Sequence, residues 1–184
     1  MALRTILTEN EPTLYKHCRE QKDFNPRLHQ LLDDMRETML SANGVGLAAP
    51  QVGVLRRVVI VADTNVETED GNGEILELVN PEILEREGEQ DGPEGCLSFP
   101  GQFGMVVRPE RVLIRAQDRD GNTFERWGEG LTARAFCHEI DHLEGHVFKE
   151  LVTHMLTEEE LNEYYAAQQE EEEDADGPDG EEVE

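Results

Sequence analysis

The sequence predicts an α+β fold in which antiparallel or mixed sheets pack around a central metal-binding helix, with an amphipathic helix near the N-terminus and another helix near the C-terminus. Three observations support this prediction. They are a helical apolar repeat over residues 25–42, short apolar segments from residue 57 onward, and an H-E-x-x-H sequence in a second helical segment. The length of 184 residues suits one domain. We expect a catalytic domain over residues 1–169 and a disordered acidic tail over residues 170–184.

The charge of the chain is strongly acidic, because 16 Lys and Arg residues oppose 42 Asp and Glu residues for a formal net charge of −26. A surface of this sign repels nucleic-acid backbones and anionic membranes, so we expect neither as a partner. Residues 170–184 contain no basic residue, and such a composition cannot bury enough apolar surface to order the chain. The N-terminus lacks the apolar run of a signal peptide, and we expect a cytoplasmic protein whose three cysteines form no disulfide framework.

Residues 25–42 are predicted to form an amphipathic helix. Asn25 can cap its N-terminus, Pro26 suits the first turn, and Asn43 with Gly44 ends it. The apolar residues recur at helical spacing and predict one buried face, formed by Leu28, Leu31, Leu32, Met35, Met39 and Leu40.

Short apolar segments predict strands at residues 57–62, 75–79, 83–86, 112–116 and 123–127. Asn80 and Pro81 separate the second of these segments from the third. Asp120 and Gly121 predict a hairpin turn between the last two. The middle of the chain is therefore predicted to be antiparallel or mixed sheet.

Two helices are predicted in the C-terminal part of the chain. The first runs from about Gly130 to Leu143, and Gly145 is suited to end it. The second begins at Thr157, because Thr157 and Glu160 have the spacing of a capping box.

The segment H-E-I-D-H places His138 and His142 four residues apart on the predicted helix. Their imidazoles then lie on one face, about 40° apart and one turn apart along the axis, which suits a divalent metal. Glu139 projects about 100° around the helix from His138, so it can reach a metal-bound water rather than the metal itself. The alternative is a solvated acidic helix face that carries two incidental histidines.

A third protein ligand is needed, and the sequence offers more than one candidate. The extension of the metzincin class fails, because His146 comes too early and Phe148 occupies the ligand position. A glutamate at 158–160 is available, but these residues begin a helix. Cys96 lies in a Gly- and Pro-flanked segment that we interpret as a constrained turn, where it is either a thiolate ligand or a buried small residue.

Cys18 and Cys137 have no partner signal, and we expect both to pack in the interior. Residues 44–51, GVGLAAPQ, match the spacing of a dinucleotide-binding loop, but here a helix precedes the glycines and a strand follows them. We interpret this segment either as a simple turn after the helix or as the wall of a cleft, with Gln51 as a hydrogen-bond donor.

The three segments GVGLAAPQ, EGCLS and HEIDH, in this order, resemble the signature motifs of the peptide deformylase family. The resemblance extends to about residue 165. It implies a metal-dependent hydrolase that removes the N-formyl group from the N-terminal formylmethionine of newly made polypeptides and releases formate. It also implies that Cys96, His138 and His142 bind Fe(2+), for which Zn, Ni or Co can substitute.

The resemblance also implies roles for neighbouring residues. Glu139 takes a proton from water and passes it to the leaving amine, while the Gln51 amide and the Leu97 backbone N–H stabilise the developing oxyanion. Arg108 is expected to lie between the acids Glu94 and Asp141. The substrate is expected to contact four further residues, namely Val45, Leu131 and Ala135 through the methionine side chain and Gly46 through the peptide backbone.

The expected partners are nascent formylmethionyl polypeptides, with transient proximity to the ribosome, and we expect a monomer. In family members with a C-terminal extension, positive charge helps docking at the ribosome. The acidic tail of this chain is not suited to that mode of docking. Two alternatives remain open, a zinc endopeptidase with another third ligand and an inactive metal-binding module with an acidic interaction tail.

Overall fold

The structure is a computed structural model that describes residues 2–175. These residues contain three α-helices, α1 (Pro26–Ser41), α2 (Gly130–Leu143) and α3 (Glu158–Ala175). They also contain eight strands, β1 (Gly46–Ala48), β2 (Val58–Asp63), β3 (Glu74–Glu87), β4 (Gln90–Cys96), β5 (Phe99–Arg108), β6 (Arg111–Gln117), β7 (Thr123–Glu129) and β8 (His154–Leu156). The predicted α+β class is confirmed.

The strands form two sheets, one with the order β1-β2-β3-β6-β7 and one with the order β4-β5-β8. Every pair of these neighbouring strands is antiparallel. The hairpin predicted around Asp120 and Gly121 is present as β6 and β7. The choice between antiparallel and mixed sheets is thus resolved in favour of antiparallel pairing, and an isolated bridge between Arg19 and Arg56 is parallel.

The five-stranded sheet lies between α1 and α2, and β2 shows this directly. Val58 and Ile60 belong to the apolar cluster that contains the buried face of α1. Val59 and Val61 point the other way, into the cluster that contains α2 residues. Because both faces of β2 are buried, its sequence is continuously apolar rather than alternating.

Helix α1 has the predicted boundaries and cap. The side chain of Asn25 accepts hydrogen bonds from the backbone N–H groups of Arg27 (3.0 Å) and Leu28 (3.2 Å). Helix α2 also has its predicted bounds, and the residue after its C-cap, Gly145, adopts a φ of 79°. A Cβ at that position would lie 2.7 Å from the carbonyl oxygen of Tyr15, so glycine is needed for both conformation and space.

The prediction of separate strands at 75–79 and 83–86 is wrong, because both lie in the single strand β3. The backbone passes Asn80 with a φ of 51°, and the pairing with β6 shifts register there. The Asn80 side chain accepts from the N–H of Gln21 at 2.8 Å and donates to the carbonyl oxygen of Gln21 at 2.8 Å. These contacts with a residue outside the strand stabilise the irregularity. In the sequence, the Asn80-Pro81 pair has the composition of a turn, which is the reason that two strands were predicted.

The interpretation of the Cys96 segment as a turn also needs correction. Cys96 is the last residue of β4, and the tight connection to β5 lies at Leu97 and Ser98. The short strand β1 likewise occupies part of the glycine-rich segment that the sequence left as a turn or cleft wall. Strands β4 and β5 are rich in Gly and Pro and lack apolar alternation, which is the reason that the pattern did not predict them.

Helix α3 begins as predicted. The N–H of Glu160 donates to Thr157 Oγ1 at 3.2 Å, and the N–H of Thr157 donates to the Glu160 carboxylate at 2.8 Å. The helix continues through Ala175, so residues 170–175 are helical rather than part of a disordered tail. The remainder of the predicted tail, residues 176–184, lies outside the described residues, and the division into catalytic domain and tail stays a prediction. None of the helices within residues 2–175 has the length and apolar character needed to cross a membrane.

Candidate active site

Cys96, His138 and His142 converge at one point between the two sheets. Their ligand atoms all lie within 4.8 Å of one another. The two imidazole Nε2 atoms are 3.3 Å apart, and Cys96 Sγ lies 3.4 Å from His142 Nε2. His138 and His142 are buried, whereas Cys96 is partly exposed.

The spacing of these donors fits a tetrahedral transition-metal ion. Metal–nitrogen bonds of about 2.0–2.1 Å and a metal–sulfur bond of about 2.3 Å place tetrahedral ligands roughly 3.3–3.7 Å apart. The separations of 3.3 and 3.4 Å fall in this range. A thiolate with two imidazoles suits Fe, Zn, Ni or Co rather than Mg or Ca. The three residues could therefore hold such an ion and leave a fourth position open.

Local structure explains why these residues meet. His138 and His142 are four residues apart on α2 and share one face of that helix. The pairing of β4 with β5 shifts register between Gly95 and Cys96, so that Cys96 ends the strand at the irregularity. Gly95 is packed under Phe103, because a Cβ built there would lie 2.5 Å from the ring. A larger residue at position 95 would displace the strand end that carries the thiol.

A buried charge network surrounds His138. Its Nδ1 atom lies 2.6 Å from Glu94 Oε1, so the carboxylate accepts a hydrogen bond from the ring. Arg108 donates to both oxygens of Glu94, at 3.0 and 2.6 Å, and to Asp141 at 2.7 Å. Arg134 adds a donor to Glu94 at 3.0 Å. The predicted position of Arg108 between Glu94 and Asp141 agrees with this geometry.

The network keeps the Glu94 carboxylate ionised. Burial by itself would raise the pKa of Glu94, but the hydrogen bonds from His138 and Arg108 outweigh burial and hold that pKa well below its usual range. An ionised Glu94 fixes the orientation of the His138 ring, so that Nε2 faces Cys96 and His142.

Glu139 lies beside the three donors and lines the same cavity. A Cβ built at Gly46 would overlap the Glu139 carboxylate, so glycine leaves the space that this side chain occupies. Burial raises the pKa of Glu139 to about 7. Its Oε2 atom is buried and has no hydrogen-bond partner within the part of the chain that the structure describes. A carboxyl group in this state can both accept and release a proton near neutral pH.

Gln51 is almost completely buried and is oriented by the backbone. Its Oε1 atom accepts a hydrogen bond from the N–H of Ala48 at 2.9 Å. The amide Nε2 therefore points the other way, 3.5 Å from Cys96 Sγ and 3.2 Å from Ser98 Oγ. The helix-glycine-strand order of this region also rules out the dinucleotide-binding arrangement.

A cavity of about 500 Å³ extends from the donors to the protein surface. This volume is in the range of pockets that bind small molecules and short peptides. All four residues predicted to contact the substrate line this cavity, namely Val45, Gly46, Leu131 and Ala135. Leu97 lines it as well. Several other lining residues were not predicted, and Arg134 and Tyr165 are among them. Arg134 lies four residues before His138 on α2 and could have been found from that spacing, whereas nothing in the sequence distinguishes Tyr165.

The other two cysteines lie in the interior, as predicted. Cys18 and Cys137 are both buried, and burial raises the pKa of each thiol to about 11. Neither belongs to the group of donors that Cys96 forms with His138 and His142. The alternative third ligands at 158–160 lie in the first turn of α3 and are not part of that group either.

The chain matches the model of the polypeptide deformylase family over residues 3–157. The chain belongs to the peptide deformylase family. A peptide deformylase of Agathobacter rectalis is 50% identical over 166 residues, which cover 89% of this chain and 100% of that protein. A peptide deformylase of Caldicellulosiruptor bescii is 51% identical over 163 residues, covering 89% of this chain and 93% of that protein.

Solved peptide deformylases share the fold. The crystal structure from Thermotoga maritima aligns with a TM-score of 0.77 at 34% identity, covering 83% of this chain and 99% of that one. A Met-Ala-Ser-bound class I type b peptide deformylase from Acinetobacter baumannii aligns with a TM-score of 0.75 at 35% identity, covering 82% of this chain and 99% of that one. The protein is therefore a metal-dependent hydrolase that removes the N-formyl group from nascent polypeptides.

Proposed function

We propose that Cys96, His138 and His142 bind Fe(2+) in this deformylase, and that Zn, Ni or Co can substitute. The observation that carries this proposal is the convergence of one sulfur and two Nε2 atoms within 4.8 Å, at spacings that suit tetrahedral coordination. A bound metal supplies a Lewis acid that polarises the formyl oxygen and lowers the pKa of a water molecule.

In this proposal Glu139 handles the proton. Its Oε2 atom, which has no hydrogen-bond partner within residues 2–175, and its pKa of about 7 suit a group that takes a proton from the attacking water and then delivers it to the amine nitrogen. The attack forms a bond between the water oxygen and the formyl carbon. Cleavage of the carbon–nitrogen bond then releases formate and a free methionine N-terminus. Glu139 does not need to contact the metal for this role.

Gln51 and Leu97 act on the oxygen of the formyl group. The Gln51 amide is held by Ala48 and donates toward Cys96, and Leu97 carries the next backbone N–H after the thiol. Donors that are already in place when charge develops stabilise a transition state by about 2.7–4 kcal/mol each. Gly46 binds the peptide backbone, while Val45, Leu131 and Ala135 surround the methionine side chain.

The proposed substrates are formylmethionyl polypeptides as they are made. The enzyme therefore works in the cytoplasm and in transient proximity to the ribosome. It acts as a monomer in this proposal. The negative net charge of the chain supports contact through the substrate rather than direct binding to nucleic acid.

A comparison of Glu139→Gln with the exposed control Glu158→Gln tests the proposed roles. Purified proteins are assayed for bound metal and for formate release from a formylated and an acetylated Met peptide. Glu139→Gln should keep its metal and lose at least about 10²-fold in formate release, and the control should behave as the wild type. Loss of metal in Glu139→Gln would make this residue a ligand and contradict the proposal, as would cleavage of the acetylated peptide at an equal rate.

A further inference from the structure

Helix α3 contributes a wall to the cavity of the active site. Tyr165, in the second turn of this helix, lines the cavity together with Cys96 and His138. Its side chain is 49% exposed, although it is a large aromatic residue. Leu131, which lines the same cavity, is 48% exposed. Exposed apolar groups at the rim of a pocket are typical of a binding surface.

The position of α3 is fixed by the strand before it. Strand β8 pairs with β5, with Leu156 opposite Phe103, and Phe103 itself lines the cavity. The capping box of Thr157 and Glu160 then starts the helix directly after the strand. The helix that carries Tyr165 thus follows β8, and β8 belongs to the same sheet as β4, the strand that ends at Cys96.

Tyr164 shows which end of the cavity α3 covers. A Cβ built at Gly92 would lie 3.5 Å from Tyr164 Oη and 3.2 Å from Arg134 Nη2, so both side chains pack over this glycine. The rings of Tyr164 and Tyr165 pack edge to face, with centroids 5.7 Å apart. Tyr164 therefore packs at the level of Arg134, one turn of α2 away from His138, and the neighbouring Tyr165 lines the cavity together with Arg134.

That level of α2 is the wall that the proposed function assigns to the methionine side chain, since Ala135 and Leu131 flank Arg134 and face the same cavity. Tyr165 lines the same cavity as Leu131 and Ala135, so its ring is available to a side chain that occupies this part of the cavity. Thioether sulfur packs favourably against an aromatic ring, with a contribution that a methylene group in its place does not make.

We propose that Tyr165 is a specificity-determining residue, whose ring closes the pocket for the first side chain and contacts the thioether of formylmethionine. This inference rests on the proposed use of Leu131 and Ala135. It assigns the C-terminal helix a role in substrate selection that is separate from the proton and metal chemistry.

The test uses the full-length, metal-loaded protein and two formylated tripeptides that differ only in the first residue, methionine or norleucine. Norleucine replaces the sulfur by a methylene group. Tyr165→Leu keeps apolar bulk and removes the ring, whereas Tyr165→Phe keeps the ring. Glu163→Gln, exposed and about 200° away on α3, is the matched control. We measure kcat and KM by formate release, and check metal content and circular dichroism.

In Tyr165→Leu, the ratio of kcat/KM for methionine over norleucine should fall roughly two- to tenfold relative to the wild type. The change should arise in KM, with kcat retained, because the ring contributes binding and no chemistry. Tyr165→Phe and Glu163→Gln should keep the wild-type ratio. For a second pair of peptides that differ only at the second residue, the ratio of kcat/KM should be the same in Tyr165→Leu and in the wild type.

An unchanged ratio in an active Tyr165→Leu enzyme would overturn the inference. So would a change confined to the second-residue pair, since Tyr165 would then contact a later part of the chain. These results are distinct from a failure of the proposed function, which would be seen as normal formate release by Glu139→Gln whatever the side-chain ratio.

Discussion

His138 Nδ1 and Glu94 Oε1 lie 2.6 Å apart in the interior, and this hydrogen bond orients the imidazole ring from the side opposite to Cys96. Glu94 is in turn held by Arg108 and Arg134, so the charge of the acid is compensated without exposure to water. The orientation of one donor of the candidate metal site therefore depends on a residue of β4 that is not itself a donor.

Glu94→Gln tests this dependence. The substitution removes the charge but retains the size of the side chain, and it leaves Arg108 and Arg134 with less compensation in the interior. Metal affinity should fall about 10- to 100-fold, and the free energy of unfolding should fall by about 3–5 kcal/mol. Competition with a chelator and denaturant titration measure the two effects. Glu87→Gln, whose ion pair with Arg111 is exposed, should change stability by no more than about 1 kcal/mol, and equal losses in both variants would contradict the prediction.

Cys96→Ala should lose its metal or nearly all activity, because the donor set would be reduced to two imidazoles. Cys18→Ala and Cys137→Ala should keep both properties, since neither thiol belongs to the donor group. Metal analysis and formate release compare the three variants directly. Stoichiometric metal with full turnover in Cys96→Ala would show that the ligand assignment is wrong.

The iron form of the enzyme should lose activity in air faster than the zinc form. Fe(2+) beside a thiolate reacts with oxygen, and the thiolate can be oxidised to sulfenic and sulfinic acids, whereas Zn(2+) has no redox chemistry. The measurement is the activity of each form against time under air and under an anaerobic atmosphere, with mass spectrometry of the peptide that contains Cys96. Equal lifetimes of the two forms in air would argue against iron as the working metal.

Truncation after Gln169 should leave kcat and metal content unchanged. The deletion removes the acidic residues 170–184 and the last part of α3, but it keeps Tyr165 and the strand pairing that positions the helix. Removal of like charge should strengthen weak binding to ribosomes at low salt, where screening is least. Sedimentation of full-length and truncated protein with ribosomes at two salt concentrations makes the comparison. Weaker binding after truncation would indicate that the tail is a docking element.

The local pattern of residues was sufficient for the helices, the hairpin and the two candidate histidine donors, and it left Cys96 as one of several candidates for the third. Helix α1 has the cap at Asn25 that the sequence predicts, and α2 has the predicted bounds, because periodicity and end signals act over a few residues along the chain. The spacing of His138 and His142 follows from the geometry of one helix. The family resemblance then favoured Cys96 over the other candidates and added Arg108, and no spacing rule connects either residue to α2.

Tertiary structure alone decided the rest. Strand β3 continues through Asn80 because Gln21, distant in the chain, satisfies the Asn80 side chain. Two strands of the three-stranded sheet, β4 and β5, are rich in Gly and Pro. Arg134 and Tyr165 line one cavity only because that sheet brings β4 and α3 to the cavity that α2 also lines. These features depend on packing and pairing between segments far apart in sequence, and such contacts leave no periodic signal in either segment by itself.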